Sequence, residues 1–380
     1  MAKSIYIHIP FCVRKCLYCD FTSYSGQEGV FSEYVEALKS EVGLYATRFP
    51  GTSISTVYFG GGTPNVLADA QLADVMKEVA RGFDFERDAE VTVEANPGVR
   101  TGEDGRRTFD YLHSHRFNRL SLGIQSFHDD ELALLGRLHT AQEAVRAFES
   151  ARQSGFENIS IDLMYGIPGQ TLDSWLSTLD SALQLGSEHI SLYSLTVEEG
   201  TPFFALQNAG RLELPGDDAE ADMYEAAIAA LTGAGYVHYE VSNFARPGFE
   251  CRHNMTYWRN EPYFGFGAGA VGYLGGSRMA NTRDVGEYIA RVRAGELPTE
   301  TFERLAGRGS MGETMFLGLR MMQGVDTRAF ESRYGVTPEM VFGTELARMS
   351  NDGLVESSHG FIRLTNKGLM LANEVFMEFV

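Results

Sequence analysis

The chain is short of cysteine, of basic residues and of long apolar runs, and each shortage excludes a class of protein. Four cysteines in 380 residues are too few for a scaffold held together by disulfides. The 32 Lys and Arg against 51 Asp and Glu give a formal net charge of -19, which argues against a nucleic-acid partner. No apolar run approaches the roughly 20 residues of a membrane span, and the N-terminus has no signal-peptide pattern. We therefore expect a soluble, cytoplasmic protein.

The pattern of strands and helices predicts an α/β fold. Short runs rich in β-branched and aromatic residues occur at 5–9, 56–59, 90–94, 119–124, 159–164 and 190–195. Helical patterns separate them, for example over 31–45 and 173–185. This alternation predicts parallel strands joined by right-handed crossovers. Six such units indicate an open, partial, TIM-like (β/α)6 barrel, in which the C-terminal strand ends carry the functional residues.

The chain is longer than one hydrophobic core usually organises, so a second, smaller domain is expected. Helical patterns at 313–322, 327–334 and 338–349 precede two strand-like runs at 353–356 and 361–364, which predicts a winged-helix-like module. With ten acidic and eight basic residues, this module lacks the basic stripe of a DNA-binding domain. We predict a barrel domain over 1–240, a linking segment over 241–300 and the C-terminal domain over 301–380.

Three of the four cysteines, Cys12, Cys16 and Cys19, form a C-x3-C-x2-C motif directly after the first predicted strand. Iron-sulfur cubanes are normally bound by four thiolates, so a loop with three leaves one iron open to a small chelating molecule. Structural zinc is the alternative, but it needs four ligands, and only Cys251 or a distant histidine could supply the fourth. A disulfide arrangement would leave one of the three unpaired, and a chance cluster of buried thiols is the remaining alternative.

Two further features follow the second and third predicted strands. The run Gly60-Gly61-Gly62-Thr63 comes first, and glycines without Cβ atoms let the backbone approach a ligand closely. Glu94 ends the third strand, just before Pro97, which cannot continue a strand ladder. In isolation, a glycine run after a strand is more often a turn, and a lone carboxylate at a strand end is usually a solvated cap. A functional interpretation of either therefore depends on the motifs around it.

Together these motifs resemble the radical S-adenosylmethionine (radical SAM) superfamily, and the whole chain resembles its coproporphyrinogen dehydrogenase-related branch. The resemblance implies that Cys12, Cys16 and Cys19 bind a 4Fe-4S cluster whose fourth iron is chelated by SAM. The SAM contacts that it implies are Gly61, Gly62, Thr63, Glu94, Gln125, Arg137 and Asp162. Arg suits a carboxylate, whereas Gln and Asp suit ribose hydroxyls.

Two tyrosines complete the SAM site that the resemblance implies. Tyr18 lies where the superfamily often has an aromatic residue beside the adenine, and Tyr6 lies on the strand that leads into the cysteine loop. Packing in the core is the alternative for both. After Cys19, members that decarboxylate coproporphyrinogen have a further cysteine, whereas this chain has Asp20-Phe21 and no N-terminal extension. Both departures weaken the decarboxylase interpretation.

A second motif, HNMTYW, spans residues 253–258. Histidine is a common proximal haem ligand, and Tyr257 and Trp258 offer flat apolar surface. Chemistry alone favours a loop whose His253 is merely hydrogen-bonded. However, H-N-x-x-Y-W together with the C-D-F continuation resembles the HemW-type haem chaperones. The resemblance implies haem bound as cargo at His253, Tyr257 and Trp258.

The same resemblance implies transfer of haem to an acceptor haemoprotein, for example a membrane-bound respiratory protein, and a homodimer would suit such delivery. The main alternative is a true radical SAM enzyme, which cleaves SAM and acts on a porphyrinogen. A structural zinc protein is a third hypothesis, which neither the glycine run nor the aligned polar residues would predict.

Overall fold

The computed structural model describes residues 2–100 and 102–380 and, within them, shows a twelve-stranded sheet and a separate three-stranded sheet. Six neighbouring parallel strands form the centre of the larger sheet. They are β1 (Ser4–Ile9), β2 (Ser53–Gly61), β3 (Asp84–Ala95), β4 (Arg119–Gln125), β5 (Ile159–Tyr165) and β6 (His189–Ser194). The helices between them are α1 (Phe31–Arg48), α2 (Asp69–Gly82), α3 (Gly102–Ser114), α4 (Asp129–Leu135), α5 (Ala141–Gln153) and α6 (Leu172–Leu185). The predicted α/β architecture of six strand-helix units is confirmed.

The side chains of β1 show why the barrel has an apolar outside and a polar inside. Ile5, Ile7 and Ile9 are fully buried on the face that packs against the helices, and burying each contributes roughly 2 kcal/mol. Because successive side chains of a strand point to opposite faces, Tyr6 and His8 point into the barrel instead. The polar interior of the barrel is therefore built by alternation along its strands.

The segment at 241–300 was predicted as a linker, but it supplies further strands of the same sheet. The elements after β6 are α7 (Pro202–Asn208), α8 (Asp217–Gly233), β7 (Val237–Glu240), β8 (Asn243–Ala245), α9 (Arg252–Trp258), β9 (Tyr263–Phe266), β10 (Val271–Leu274), β11 (Ser277–Asn281), α10 (Val285–Arg293) and β12 (Thr299–Arg304). Strand β9 pairs parallel with β1, and β8 pairs antiparallel with β6. These strands are short, and the pairings that join them to the central sheet connect residues distant in sequence, so no local pattern indicated them.

Helix α9, which carries the whole HNMTYW motif, closes the end of the barrel where the strands begin. The hydroxyl of Thr256 is 2.9 Å from that of Ser4, the first residue of β1. The carboxylate of Glu90 accepts hydrogen bonds from the backbone N–H groups of Arg252 and His253, each at 3.1 Å. Free N–H groups at a helix N-terminus need such acceptors. The cysteine loop lies at the opposite end of the barrel, after β1.

The C-terminal residues form the predicted winged-helix-like domain, with its own hydrophobic core. Its elements are α11 (Arg308–Gly318), β13 (Val325–Asp326), α12 (Thr327–Tyr334), α13 (Pro338–Asn351), β14 (Val355–Ser358), β15 (Phe361–Leu364), α14 (Asn366–Met370) and α15 (Ala372–Met377). The domain docks near the end of α9, where Arg333 donates to the carbonyl of Asn260 at 2.9 Å and Asn260 donates to Glu313 at 3.1 Å.

Among the helices of the described residues, none is both long and apolar enough to span a membrane.

Candidate cluster, SAM and haem site

Hydrogen bonds from neighbouring elements hold the cysteine loop over the mouth of the barrel. The backbone N–H of Cys12 donates to the carbonyl of Tyr24 at 2.9 Å, and that of Leu17 donates to Leu135, the last residue of α4, at 3.1 Å. On the other side, the N–H of Phe203 in α7 donates to the carbonyl of Leu17 at 3.1 Å. The loop is thus fixed between β1, α4 and α7 before any ligand binds.

The three cysteines of this loop are half-buried free thiols. Burial raises the pKa of Cys12 and Cys19, and neighbouring thiols add to both shifts. Two donors reach the sulfur atoms: Thr63 Oγ1 lies 3.4 Å from Cys12 Sγ, and Arg137 Nη1 lies 3.5 Å from Cys16 Sγ. A bound iron or zinc ion lowers the pKa of the thiols that ligate it and so deprotonates them. Within 2–100 and 102–380, no three His, Cys, Asp or Glu side chains converge as ligands of a single metal ion do.

Two positions of the glycine run, Gly61 and Gly62, require glycine because they pack closely under the cysteine loop. Gly61 has a φ of 112°, and a Cβ atom there would lie 2.4 Å from the ring of His8. A Cβ atom at Gly62 would lie 2.5 Å from the carbonyl oxygen of Phe11. The N–H of Thr63 donates to the same oxygen at 2.8 Å. The run therefore joins the end of β2 to the cysteine loop, which places its backbone beside any ligand that the loop holds.

Glu94 reaches the same place from the end of β3. Its carboxylate accepts hydrogen bonds from the Tyr58 hydroxyl at 2.8 Å and from the Gly61 N–H at 3.2 Å. Burial raises the pKa of Glu94 to about 7, although these two donors oppose the shift. A carboxylate can accept more than two hydrogen bonds, so Glu94 keeps capacity for a ligand.

The predicted polar contacts on β4 and β5 come together at the mouth of the barrel. Gln125 adopts a left-handed φ of 70°, a strained conformation for a residue other than glycine. Gln125 Oε1 and Arg137 Nε are buried and have no hydrogen-bond partner among the described residues. Nearby, Asp162 accepts a hydrogen bond from Ser121 at 3.1 Å, and burial raises its pKa. Buried unpaired groups cost roughly 1–3 kcal/mol each, so a ligand with hydroxyl and carboxylate groups, such as SAM, fits this set.

The two predicted aromatic contacts lie in different surroundings. The Tyr18 ring centroid is 6.5 Å from that of Phe203, in an apolar cluster on the side of α7. Tyr6 lies inside the barrel, where its hydroxyl is 2.9 Å from His8 Nδ1 and its ring centroid is 6.2 Å from that of Tyr58. Tyr18 therefore borders the cysteine loop, whereas Tyr6 belongs to an interior group of aromatic rings.

The three predicted haem contacts of the HNMTYW motif are a buried histidine and two partly buried aromatic residues. His253 is buried, with its Nδ1 atom 2.8 Å from Thr56 Oγ1 and its Nε2 atom 2.8 Å from the Tyr257 hydroxyl. Burial lowers the pKa of His253 to about 3, so the ring is neutral. Trp258 lies against the C-terminal domain, with the guanidinium of Arg320 at 4.4 Å from its ring centroid. The structure thus joins His253 to Tyr257 by a hydrogen bond, whereas Trp258 meets only the Tyr257 ring, with 6.5 Å between centroids.

A cavity of about 500 Å³ is lined by residues from both predicted sites. Its wall includes Gly61 and Glu94 from the SAM set, Phe21 from the segment after Cys19, and Tyr6 and Tyr257. A larger groove of about 660 Å³ lies on the outer side of α9, but none of the predicted SAM contacts lines it. The smaller cavity is therefore the one that combines residues of both motifs.

Sequence reasoning missed several residues that hold this site together. Tyr58 binds Glu94 through its hydroxyl, and its ring stacks on His253 with 5.1 Å between centroids. Thr56 holds His253, and Glu90 caps α9. All three point inward from β2 or β3, so the alternation of polar and apolar residues along these strands was the signal that could have identified them.

Comparisons with known proteins agree with this architecture. The chain matches the family description "Radical SAM superfamily" over residues 6–182 and "HemN C-terminal domain" over residues 309–371. The solved structure of coproporphyrinogen III oxidase (HemN) from Escherichia coli, a radical SAM enzyme, superposes with a TM-score of 0.85. That match has 27% identity and covers 99% of this chain and 89% of the other. Fold and site together define a radical SAM protein.

The curated relatives narrow this class. "Heme chaperone HemW" of Bacillus subtilis (strain 168) is 41% identical over 379 residues, which cover 100% of this chain and 99% of the relative. The protein of the same name from Lactococcus lactis subsp. lactis (strain IL1403) is 40% identical and covers 100% of this chain and 97% of the relative. The chain therefore belongs to the HemW family of heme chaperones, as the sequence motifs predicted.

Proposed function

We propose that this protein binds haem as cargo and passes it to an acceptor haemoprotein, and that it carries a 4Fe-4S cluster and an exchangeable SAM. The observation that carries the proposal is the cavity of about 500 Å³, whose wall contains both Tyr257 of the HNMTYW motif and Glu94 beside the cysteine loop. The HemW relatives support haem as the cargo. A membrane-bound respiratory protein is the acceptor that we propose.

In this proposal Cys12, Cys16 and Cys19 hold the cluster, which would supply an electron to the SAM bound at its fourth iron. The chain itself positions that SAM. Arg137 offers a guanidinium to its carboxylate, and the orphaned Gln125 Oε1 offers an acceptor to its hydroxyl groups. Thr63 and Arg137 donate to two of the thiol sulfurs and so stabilise them as thiolates.

Three contacts link the SAM side of the barrel to the haem side. Glu94 accepts from the Tyr58 hydroxyl, the Tyr58 ring stacks on His253, and His253 is hydrogen-bonded to Tyr257. A ligand that hydrogen-bonds to the Glu94 carboxylate therefore also affects Tyr58, whose ring packs against His253 of the haem motif. We propose that SAM occupancy changes haem affinity through these contacts.

The second candidate is a radical SAM enzyme that acts on a porphyrinogen. The structural match to coproporphyrinogen III oxidase and the assembled SAM set favour it. Against it, the motif of the decarboxylating enzymes resembles C-x3-C-x2-C-x-C, whereas here Asp20 and Phe21 follow Cys19 and no fourth cysteine is present in the motif. Turnover of coproporphyrinogen under reducing, anaerobic conditions would favour the enzyme, whereas stoichiometric haem binding without turnover favours the chaperone.

The deciding experiment is an anaerobic haemin titration of the cluster-reconstituted protein, followed by the Soret band. We expect saturation near one haem per chain and weaker binding by His253→Ala with an unchanged iron and sulfide content. Cys16→Ala is the matched control, because it should lose the cluster and still bind haem. No specific binding by the parent protein would refute the haem proposal and leave the enzyme as the working hypothesis.

A further inference from the structure

The surroundings of His253 bear on which atom binds the haem iron. The ring is 1% exposed, and both of its nitrogen atoms already have partners, Thr56 Oγ1 and the Tyr257 hydroxyl. One face of the ring also stacks on Tyr58. To bind iron directly, His253 would have to break one of these hydrogen bonds and leave its place inside the barrel. Neither nitrogen is free for a metal in this arrangement.

Tyr257 is placed differently, because it forms part of the wall of the 500 Å³ cavity, whereas His253 does not. Its ring meets Tyr263 edge to face, with 4.7 Å between centroids, which fixes the direction of the hydroxyl. Phe21 and Val271, exposed by 65% and 37%, give the same cavity apolar surface for a macrocycle. Arg283 also lines the cavity and offers a cation to a propionate group.

We propose that the phenolic oxygen of Tyr257 is the axial ligand of the haem iron and that His253 is a positioning residue for it. This inference rests on the proposed haem-binding function. Tyrosine is an established axial ligand of ferric haem. On binding, the phenol O–H bond breaks, an Fe–O bond forms, the water on the ferric iron leaves, and one proton goes to solvent. No electron is transferred in this step.

The role of His253 follows from its two hydrogen bonds. Before haem binds, a proton on Nδ1 is directed at Thr56 Oγ1 and Nε2 accepts from the Tyr257 hydroxyl. When iron binds, Nε2 takes the phenol proton and then donates it to the phenolate oxygen, while the proton on Nδ1 is the one released to solvent. Residues that orient a metal ligand in this way typically affect metal affinity 10- to 100-fold. Loss of His253 should therefore weaken haem binding without replacing the ligand, whereas loss of the Tyr257 oxygen should remove the ligand.

The test is a haemin titration of the cluster-loaded protein and three variants, combined with resonance Raman spectroscopy of the ferric complexes. We expect an iron-phenolate vibration in the parent protein, and its loss in Tyr257→Phe with the largest fall in affinity. His253→Gln should keep the vibration and lose about 10- to 100-fold in affinity. Tyr111→Phe is the matched control, since it removes a tyrosine hydroxyl on α3, outside the cavity, and should bind like the parent.

The outcomes separate this inference from the function on which it rests. If the parent binds haemin without an iron-phenolate vibration, or if Tyr257→Phe keeps the parent spectrum and affinity, Tyr257 is not the ligand although haem binding stands. If the parent protein binds no haemin, the proposed function itself fails. Tyr257→Phe removes only one oxygen atom and should keep the fold. The iron and sulfide contents and the thermal unfolding of each variant check this.

Discussion

Two carboxyl groups, the fully buried Glu41 on α1 and the partly buried Glu94 inside the barrel, differ in how completely the protein itself satisfies them. Burial raises the pKa of each to about 7. Glu41 accepts from the Tyr288 hydroxyl at 2.6 Å, the Gly267 N–H at 2.8 Å and the Asn281 amide at 2.8 Å. It therefore ties α1 to the outer strands and to α10.

Glu94 has two donors, the Tyr58 hydroxyl and the Gly61 N–H, and it also lines the cavity. The shift in pKa is the same in both regions, so the shift alone does not identify a functional site. What distinguishes Glu94 is unused acceptor capacity next to open space. Glu41 is not among the residues of that cavity, and its three donors come from the protein itself.

The largest expected effect is on stability and concerns Glu41. Glu41→Ala would leave three buried donors without a partner, at a cost of about 3–5 kcal/mol. Glu94→Ala should cost about 1–2 kcal/mol, since water in the cavity can reach its donors. Urea unfolding of the cluster-free protein measures both. Equal losses of unfolding free energy in the two variants would show that Glu41 is no more important to stability than Glu94.

The next largest expected effect is on SAM affinity, to which Glu94 should contribute and Glu41 should not. Glu94→Gln keeps the shape of the side chain but removes the charge, so SAM affinity should fall by about 2 kcal/mol, roughly 30-fold. Glu41→Gln is the matched control and should bind SAM like the parent. Calorimetric titration of the cluster-loaded protein under anaerobic conditions gives both affinities. A parent-like affinity for Glu94→Gln would remove Glu94 from the proposed SAM site.

The sequence predicted the regular part of this molecule better than its irregular part. The central strands are runs of β-branched residues at regular spacing, and a parallel barrel places their C-terminal ends at one edge, so the cysteine loop, the glycine run and Glu94 could be grouped in advance. Gln125 and Asp162 were predicted from the family resemblance alone. Contacts between distant residues could not be predicted, because Glu41 and Asn281 are 240 positions apart and no local pattern relates them. The same holds for His253, whose partner Thr56 is 197 positions away.

The smallest expected effect concerns Tyr58, whose hydroxyl is one of the two donors to Glu94. This hydroxyl donates to Glu94 and lowers the carboxyl pKa, against the larger effect of burial. Tyr58→Phe should therefore raise the pKa of Glu94 above about 7. At pH 7 the lost hydrogen bond should weaken SAM binding by about 1 kcal/mol, roughly fivefold.

The sign of the pH dependence tests this explanation. SAM carries a sulfonium and an ammonium group, so it favours the ionised carboxylate, and its affinity should rise as pH increases through the pKa of Glu94. In Tyr58→Phe that rise should occur at higher pH. In the Glu94→Gln background, Tyr58→Phe should have little further effect, because the group whose pKa it changes is absent. A shift that persists in the double variant would mean that Tyr58 acts on SAM by another route, through its ring or through His253.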